Sequence, residues 1–246
     1  MTIDVHTAPN NVSLLRTELG KSLNIGLKHF ELDYLHGKNA ITRTAHGRGE
    51  VYFFTQLSQP LVLRHYYRGG LFGKFNRDRF LHFSIQQSRG FKELDILSFL
   101  ASKGLNVPSP VAARVIRKGL FYRADIITAE VSKAQELHQV LMQREIADSM
   151  WEAIGKIIAQ LHQLHVRHDD INVKNVLIQE DNRVALIDFD KCYRDSTGNW
   201  HSANLARFYR SLLKQQRAQA TKKAKYHFAL SNWESLQTGY ASLLSD

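Results

Sequence analysis

The stretch His168-Asp169-Asp170-Ile171-Asn172-Val173-Lys174-Asn175 reads as His-x-Asp-x-x-x-x-Asn, and Ile187-Asp188-Phe189-Asp190 adds a second carboxylate shortly after it. Residues of these types at this spacing suit phosphoryl transfer. One Asp orients and deprotonates a hydroxyl, while one Asn and one Asp hold magnesium. Val176-Leu177-Ile178 and Val184 to Ile187 are short apolar runs, and Gln179 to Arg183 supplies turn residues between them. The pattern predicts a hairpin carrying polar residues at both mouths. Solvated loop carboxylates would account for any one of these Asp residues, but poorly for the spaced set.

The elements that must position this loop are partly legible. Ile146, Met150, Ile154, Ile157, Leu161 and Leu164 trace one face of a long helix that leads into the loop. In the N-terminal half, Val51 to Phe54 and Leu61 to Tyr67 read as strands, as do Val111 to Ile116 and Leu120 to Val131. Phe91, Leu94, Leu97 and Leu100 repeat at helical spacing, with Glu93 on the same helix. Gly104 stops that helix, and Pro108 and Pro110 bar its continuation. Residues 1 to about 40 show no clear period. Gly47 and Gly49 precede the first strong strands, where backbone amides could approach a phosphate; a plain hairpin turn fits the same residues. Arg68 to Arg79 is a basic, glycine-containing loop.

The net charge of +10 draws the chain toward something anionic: nucleic acid, a membrane surface or a phosphorylated substrate. The span from Ser196 to Trp233 holds no acid but carries Arg207, Arg210, Lys214, Arg217, Lys222, Lys223 and Lys225. Leu205, Phe208, Leu212 and Leu213 lie among the first of these cations at helical spacing. The result is a basic amphipathic helix, which either packs through its leucines or meets an anionic membrane surface. The single cysteine, Cys192, excludes an internal disulfide framework and a Cys-rich zinc site. No apolar run approaches the roughly 20 residues that span a bilayer. The N-terminus has no secretory pattern, so a cytoplasmic location is expected.

Glycine turn, strand cation at Arg64, helix Glu93, the His168-to-Asn175 loop and Ile187-Asp188-Phe189 follow one another in an order that resembles the protein-kinase fold. More narrowly, Arg64 to Leu71, the Phe91-to-Pro110 helix and turn, and Asn204-Leu205-Ala206-Arg207 are similar to the 3-deoxy-D-manno-octulosonic acid (Kdo) kinases, grouped with the lipopolysaccharide core heptose kinases. The resemblance covers about Thr44 to Leu213. It implies an α+β, two-lobed fold: a β-rich N-lobe over 1–131 and a mainly helical C-lobe over 132–246. It makes Asp170 the catalytic residue and Asn175 and Asp188 the magnesium ligands. Gly47, Gly49, Arg64 and Glu93 become the nucleotide-side residues, for ATP. Arg64 stands where protein kinases carry Lys, and Asp190 replaces the Gly of Asp-Phe-Gly. The Arg fork still suits phosphate oxygens; the stiffer Asp190 and the short segment after it favour a constitutively active small-molecule or glycolipid kinase.

The implied acceptor is Kdo on the lipid A precursor, phosphorylated at the 4-hydroxyl on the cytoplasmic face of the bacterial inner membrane. Nucleic acid is not expected as a partner, because the family gives the charge a better use. His65, Arg68, Lys74 and Arg77 are candidates to grip the sugar. Competing readings are a heptose kinase of the same group, an aminoglycoside-type kinase, and a non-catalytic kinase-like module. The last would normally lack one polar residue of 170, 175 or 188, and all three are present.

Overall fold

The computed structural model describes residues 2–46, 50–68 and 78–244. The chain divides into two compact units, Met1–Phe99 with Pro108–Glu130, and Leu100–Val107 with Val131–Asp246. The chain is mixed α and β, consistent with a kinase-like fold.

The first unit is an eight-stranded antiparallel sheet. Its strands are β1 (Asp4–Ala8), β2 (Val12–Arg16), β3 (Ile41–His46), β4 (Glu50–Gln56), β5 (Gln59–His65), β6 (Phe80–Leu81), β7 (Pro110–Lys118) and β8 (Phe121–Ala129). They lie in the order β1-β2-β7-β8-β5-β4-β3, with β6 added on β8. The helices of this part are α1 (Glu18–Ser22), α2 (Leu32–Gly37) and α3 (Arg89–Ser102). The first 40 residues, which show no period in sequence, form β1, β2, α1, α2 and a 3₁₀ turn at Leu27–Phe30. Helices this short complete barely more than one turn, so no amphipathic stripe develops. β1 is mostly exposed on both faces, so it shows no alternation either.

β4 and β5 join through Leu57 and Ser58, both at positive φ (49° and 64°) between the paired Gln56 and Gln59. That is the backbone hand that lets a two-residue hairpin follow the sheet twist. The sheet buries Leu14, Phe54, Leu61, Leu63 and Ile127 in one cluster with Ile25, from the loop after α1, and Phe30, from the 3₁₀ turn. Strand β5 runs between β4 and β8, which places Arg64 in the middle of the sheet opposite Val51 and Ile126.

α3 ends as its sequence predicts. Gly104 takes φ +79°, its N–H bonds the Ala101 carbonyl, and Leu105 N–H returns to the Leu100 carbonyl. This is the Schellman arrangement that satisfies the last helical carbonyls.

The second unit holds β9 (Ala134–Glu136), α4 (Leu137–Gln143), α5 (Asp148–Gln163), β10 (Val166–His168), β11 (Val176–Gln179), β12 (Val184–Leu186), β13 (Cys192–Arg194), α6 (His201–Thr221) and α7 (Leu230–Ser242). α5 buries Met150, Ile154, Ile157 and Leu161, the face read from its spacing. It packs on α7 with almost no separation. A Cβ on Gly155 would lie 2.0 Å from the Leu236 carbonyl oxygen, and one on Gly239 would lie 2.2 Å from that of Glu152. Two glycines therefore let the helix backbones touch. Among the described residues, no helix is long and apolar enough to cross a membrane.

Candidate active site

Two strand pairings fix the loop from His168 to Asn175. β10 pairs with β13 through Val166↔Arg194 and His168↔Cys192, which anchors the loop's start. β11 pairs with β12 through Val176↔Leu186, which anchors its end. One further bond, Ile187 N–H to the Asn175 carbonyl at 3.0 Å, extends that ladder. It brings Asp188 beside Asn175, at the hairpin mouth the sequence predicts.

His168 is fully buried and acts as the loop's internal strut. The Asp170 N–H donates to its Nδ1 at 3.3 Å, so the ring proton sits on Nε2, which donates to the Ile187 carbonyl at 3.2 Å. Burial pushes the His168 pKa below its ordinary value, keeping the ring neutral for this double role. The imidazole thus ties the backbone at Asp170 to the backbone just before Asp188. The Phe189 ring packs 5.1 Å from it and is itself buried.

Asp170 presents its carboxylate between two cations. Arg207 Nη2 donates to Oδ1 at 2.9 Å, and Lys191 Nζ lies 3.4 Å from Oδ2. The Asp170 carbonyl accepts from Asn172 Nδ2 at 2.7 Å and from Asn175 Nδ2 at 3.0 Å. Because Asn175 is tied by its nitrogen, its amide oxygen points away from that bond. Asp188 occupies the left-handed region at φ 66°, which Asp tolerates better than most non-glycine residues. The fit to magnesium follows from the donor set. Asn175 and Asp188 offer two hard oxygen donors at one hairpin mouth, the kind of partial set that magnesium would complete with water and substrate phosphates. Among the described residues, no cluster of three or more His, Cys, Asp or Glu could cage a metal unaided.

One face of α6 grips the loop, and its residues have no role in the reading of the spacing alone. Asn204 Nδ2 donates to the His168 carbonyl at 2.9 Å, Arg207 reaches Asp170, and Ser211 Oγ accepts from Val173 N–H at 3.0 Å. Positions 204, 207 and 211 share a helical face by their three- and four-residue steps. Behind them, Tyr240 O–H donates to His162 Nδ1 at 2.8 Å, and His162 Nε2 donates to Asn204 Oδ1 at 3.2 Å. Burial lowers the His162 pKa to about 4, so it stays neutral and can bridge the two. The signal available in sequence was Asn204-Leu205-Ala206-Arg207, which carries the family resemblance but names no contact.

In the first unit, Arg64 Nη2 bonds Glu93 Oε1, and Tyr66 O–H donates to Glu93 Oε2 at 2.7 Å. The Glu93 side chain is 1% exposed, so its charge is held by these two donors within the protein. Gly47, Gly49, Lys74 and Arg77 lie outside the described residues. His65 is committed within the sheet: its Nδ1 lies 2.6 Å from Asp125 Oδ1 and its Nε2 3.5 Å from Asp78. The Arg68 guanidinium lies 5.3 Å from the Phe80 ring centroid.

α6 carries the cations expected of it, with one correction. Arg207, Arg210, Lys214 and Arg217 are exposed on a single stripe, while Phe208 and Leu212 are fully buried beneath. Lys222, Lys223 and Lys225 lie beyond the helix. Lys223 turns the chain at φ 55°, and Lys225 sits 3.5 Å from Glu145. The helix closes there in a Schellman arrangement, with Lys223 N–H bonded to the Ala220 carbonyl and Ala224 N–H to that of Gln219.

Residues 33–240 match the Lipopolysaccharide kinase (Kdo/WaaP) family. Curated relatives agree over most of the chain. A 3-deoxy-D-manno-octulosonic acid kinase of Photobacterium profundum is 39% identical over 86% of this chain and 87% of its own length. Enzymes of the same name from Vibrio vulnificus and Actinobacillus succinogenes are 37% and 39% identical, each over 87% of this chain and covering 88% and 90% of their own lengths. With the loop, its hairpin and the α6 clasp all inside the matched region, the chain belongs to the lipopolysaccharide kinase (Kdo/WaaP) family.

Proposed function

We propose that this chain is an ATP-dependent kinase that phosphorylates Kdo, at its 4-hydroxyl, on the Kdo-lipid A precursor. The observation that carries the chemistry is the Asp170 carboxylate held between Arg207 and Lys191, with Asn175 and Asp188 at the adjoining hairpin mouth. The relatives, alike over 86% of this chain, are named as kinases of Kdo, which supports the choice of sugar.

A carboxylate oxygen accepts more than one hydrogen bond, so Asp170 can take a sugar hydroxyl as well as the contacts from Arg207 and Lys191. The hydroxyl oxygen attacks the γ-phosphorus, the bond to the β–γ bridging oxygen breaks, ADP leaves, and the hydroxyl proton passes to Asp170. Arg207 and Lys191 fix the carboxylate so that this hydroxyl is aligned before attack. Asn175 and Asp188 would hold magnesium, which when bound neutralises charge on the phosphates. Arg64, steadied by Glu93, offers a planar fork to phosphate oxygens.

The acceptor lies in a membrane and is itself anionic. The stripe Arg210, Lys214 and Arg217 supports peripheral docking on the cytoplasmic face of the inner membrane.

The test is an ATP phosphotransfer assay offering Kdo-lipid A precursor, free Kdo, heptosylated core and kanamycin side by side, with Asp170→Asn as control. Transfer to the lipid-linked Kdo should dominate, and its efficiency should fall as salt screens the acceptor. Asp170→Asn should lose about 10²–10⁴-fold in turnover. Transfer to heptose alone would make the chain a heptose kinase of the same family.

A further inference from the structure

Phe83 and Leu120 are the two most exposed large apolar side chains among the described residues, at 75% and 74%, and their segments meet where β6 joins β8 in the first unit. Leu81, 53% exposed, pairs with Phe121 across β6 and β8. The next residue, His82, donates its N–H to the Leu120 carbonyl at 2.9 Å. Phe80 and His82 turn inward, their rings 5.4 and 6.1 Å from that of Tyr122. Leu81 and Phe83, between and after them, are exposed, and Leu120 at the β7–β8 turn lies opposite His82 across that bond. Exposed apolar residues scattered singly mean little, but adjacent ones rimmed by charge mark an interaction site.

The rim decides the partner. Arg79, Arg117, Lys118 and Arg123 flank these residues, and Asp78, paired with Arg123 at 2.7 Å, is the only acid in 78–83 and 117–123. A second copy would set one basic rim against another, which disfavours self-association. An anionic bilayer satisfies both parts: acyl chains accept the apolar tip, and headgroup phosphates meet the cations. We propose that Leu81, Phe83 and Leu120 form an insertion tip that enters the interface of an anionic lipid bilayer. This deepens the peripheral-membrane reading above and rests on it. It assigns insertion to the sheet unit, in addition to any electrostatic docking by α6.

The experiment uses the full chain with vesicles of phosphatidylethanolamine and phosphatidylglycerol, and phosphatidylcholine vesicles as the neutral control. In Leu120→Trp, the new indole should shift to the blue on binding and be quenched by brominated acyl chains beyond the level of the native tryptophans. The double variant Phe83→Ser/Leu120→Ser should lower the vesicle partition coefficient at least about tenfold, because two side chains no longer leave water. Its phosphotransfer to a detergent-dispersed acceptor should match the wild type. Kdo phosphorylation is scored separately there, so a failed enzyme and a failed surface give different results. The proposal is overturned if Leu120→Trp on sedimented vesicles keeps water-like emission, or if the double variant partitions like the wild type. It is also overturned if the wild type proves to be a dimer that the double variant dissolves.

Discussion

Arg207 Nη2 donates to Asp170 Oδ1 at 2.9 Å across 37 residues of sequence, joining a helix to the loop that carries the proposed catalytic carboxylate. Asn204 and Ser211, on the same helical face, hold the backbone at His168 and Val173. Asp170 is thus oriented from α6 as well as from its own loop. The arrangement makes Arg207 a positioning residue. Arg207→Ala should reduce kcat about 10–100-fold, the scale of a misplaced reacting group, with KM for ATP nearly unchanged. Arg207→Lys should recover part of the loss. An equal rise in KM for ATP would mean that Arg207 binds nucleotide instead.

Asp188→Ala should abolish the magnesium dependence of nucleotide binding, since it removes the anionic ligand at the hairpin mouth. Asn175→Ala should weaken it less and also loosen the loop, because Asn175 donates to the Asp170 carbonyl. Calorimetry of nucleotide binding with and without magnesium reads both effects. A magnesium dependence that survives Asp188→Ala would point to a different metal carboxylate.

Glu93→Ala removes the shared acceptor of Arg64 and Tyr66 from a buried position. Breaking such a pair on one side should cost about 3 kcal/mol of stability, and ATP affinity should fall as Arg64 loses its alignment. Glu93→Gln keeps the Tyr66 hydrogen bond and should be milder. Urea unfolding of both variants checks the order; Glu93→Gln as destabilised as Glu93→Ala would rule out the charge as the cause.

Stability should decline as pH falls from about 6.5 to 4. His162 has its folded-state pKa lowered to about 4 by burial, below the unfolded value near 6.5. In that window the unfolded chain binds a proton that the native chain does not, so acid favours unfolding. His168, His138, His29, His82 and His201 are shifted in the same direction, also by burial first, and add to the slope. Protonating His162 also removes the acceptor for Tyr240 O–H behind Asn204. Urea midpoints at neutral and mildly acidic pH, compared between wild type and His162→Gln, measure its share. A wild-type midpoint that does not move would refute the account.

Replacing Arg210, Lys214 and Arg217 with Gln should lower partition onto anionic vesicles about 100-fold, given the contribution of each basic residue near such a surface. Arg207 is left in place, so turnover on a detergent-dispersed acceptor should persist. Unchanged vesicle binding at low salt would reduce α6 to a clasp for the loop.

Local rules made much of this protein legible from its residues alone. The spacing of Asp170, Asn175 and Asp188, the β11–β12 hairpin, the α5 face and the glycine stop of α3 each depend on neighbours a few residues away. Helical and strand periods encode such features directly. The ladder bond from Ile187 to Asn175 needed no more than that hairpin's register. The first 40 residues stayed silent because helices of about one turn and an exposed edge strand leave no period to read. What only the tertiary structure decided is who holds the Asp170 carboxylate and its loop. Lys191, Arg207 and Asn204 meet the loop across long stretches of chain, and the His162–Tyr240 pair backs Asn204. Their side chains are ordinary in type, and nothing local announces a partner that packing alone delivers. The apolar tip at Phe83 and Leu120 is of the same kind. Two hydrophobic residues well apart in sequence read as core until the pairing of β6 with β8 brings their segments together and leaves both exposed.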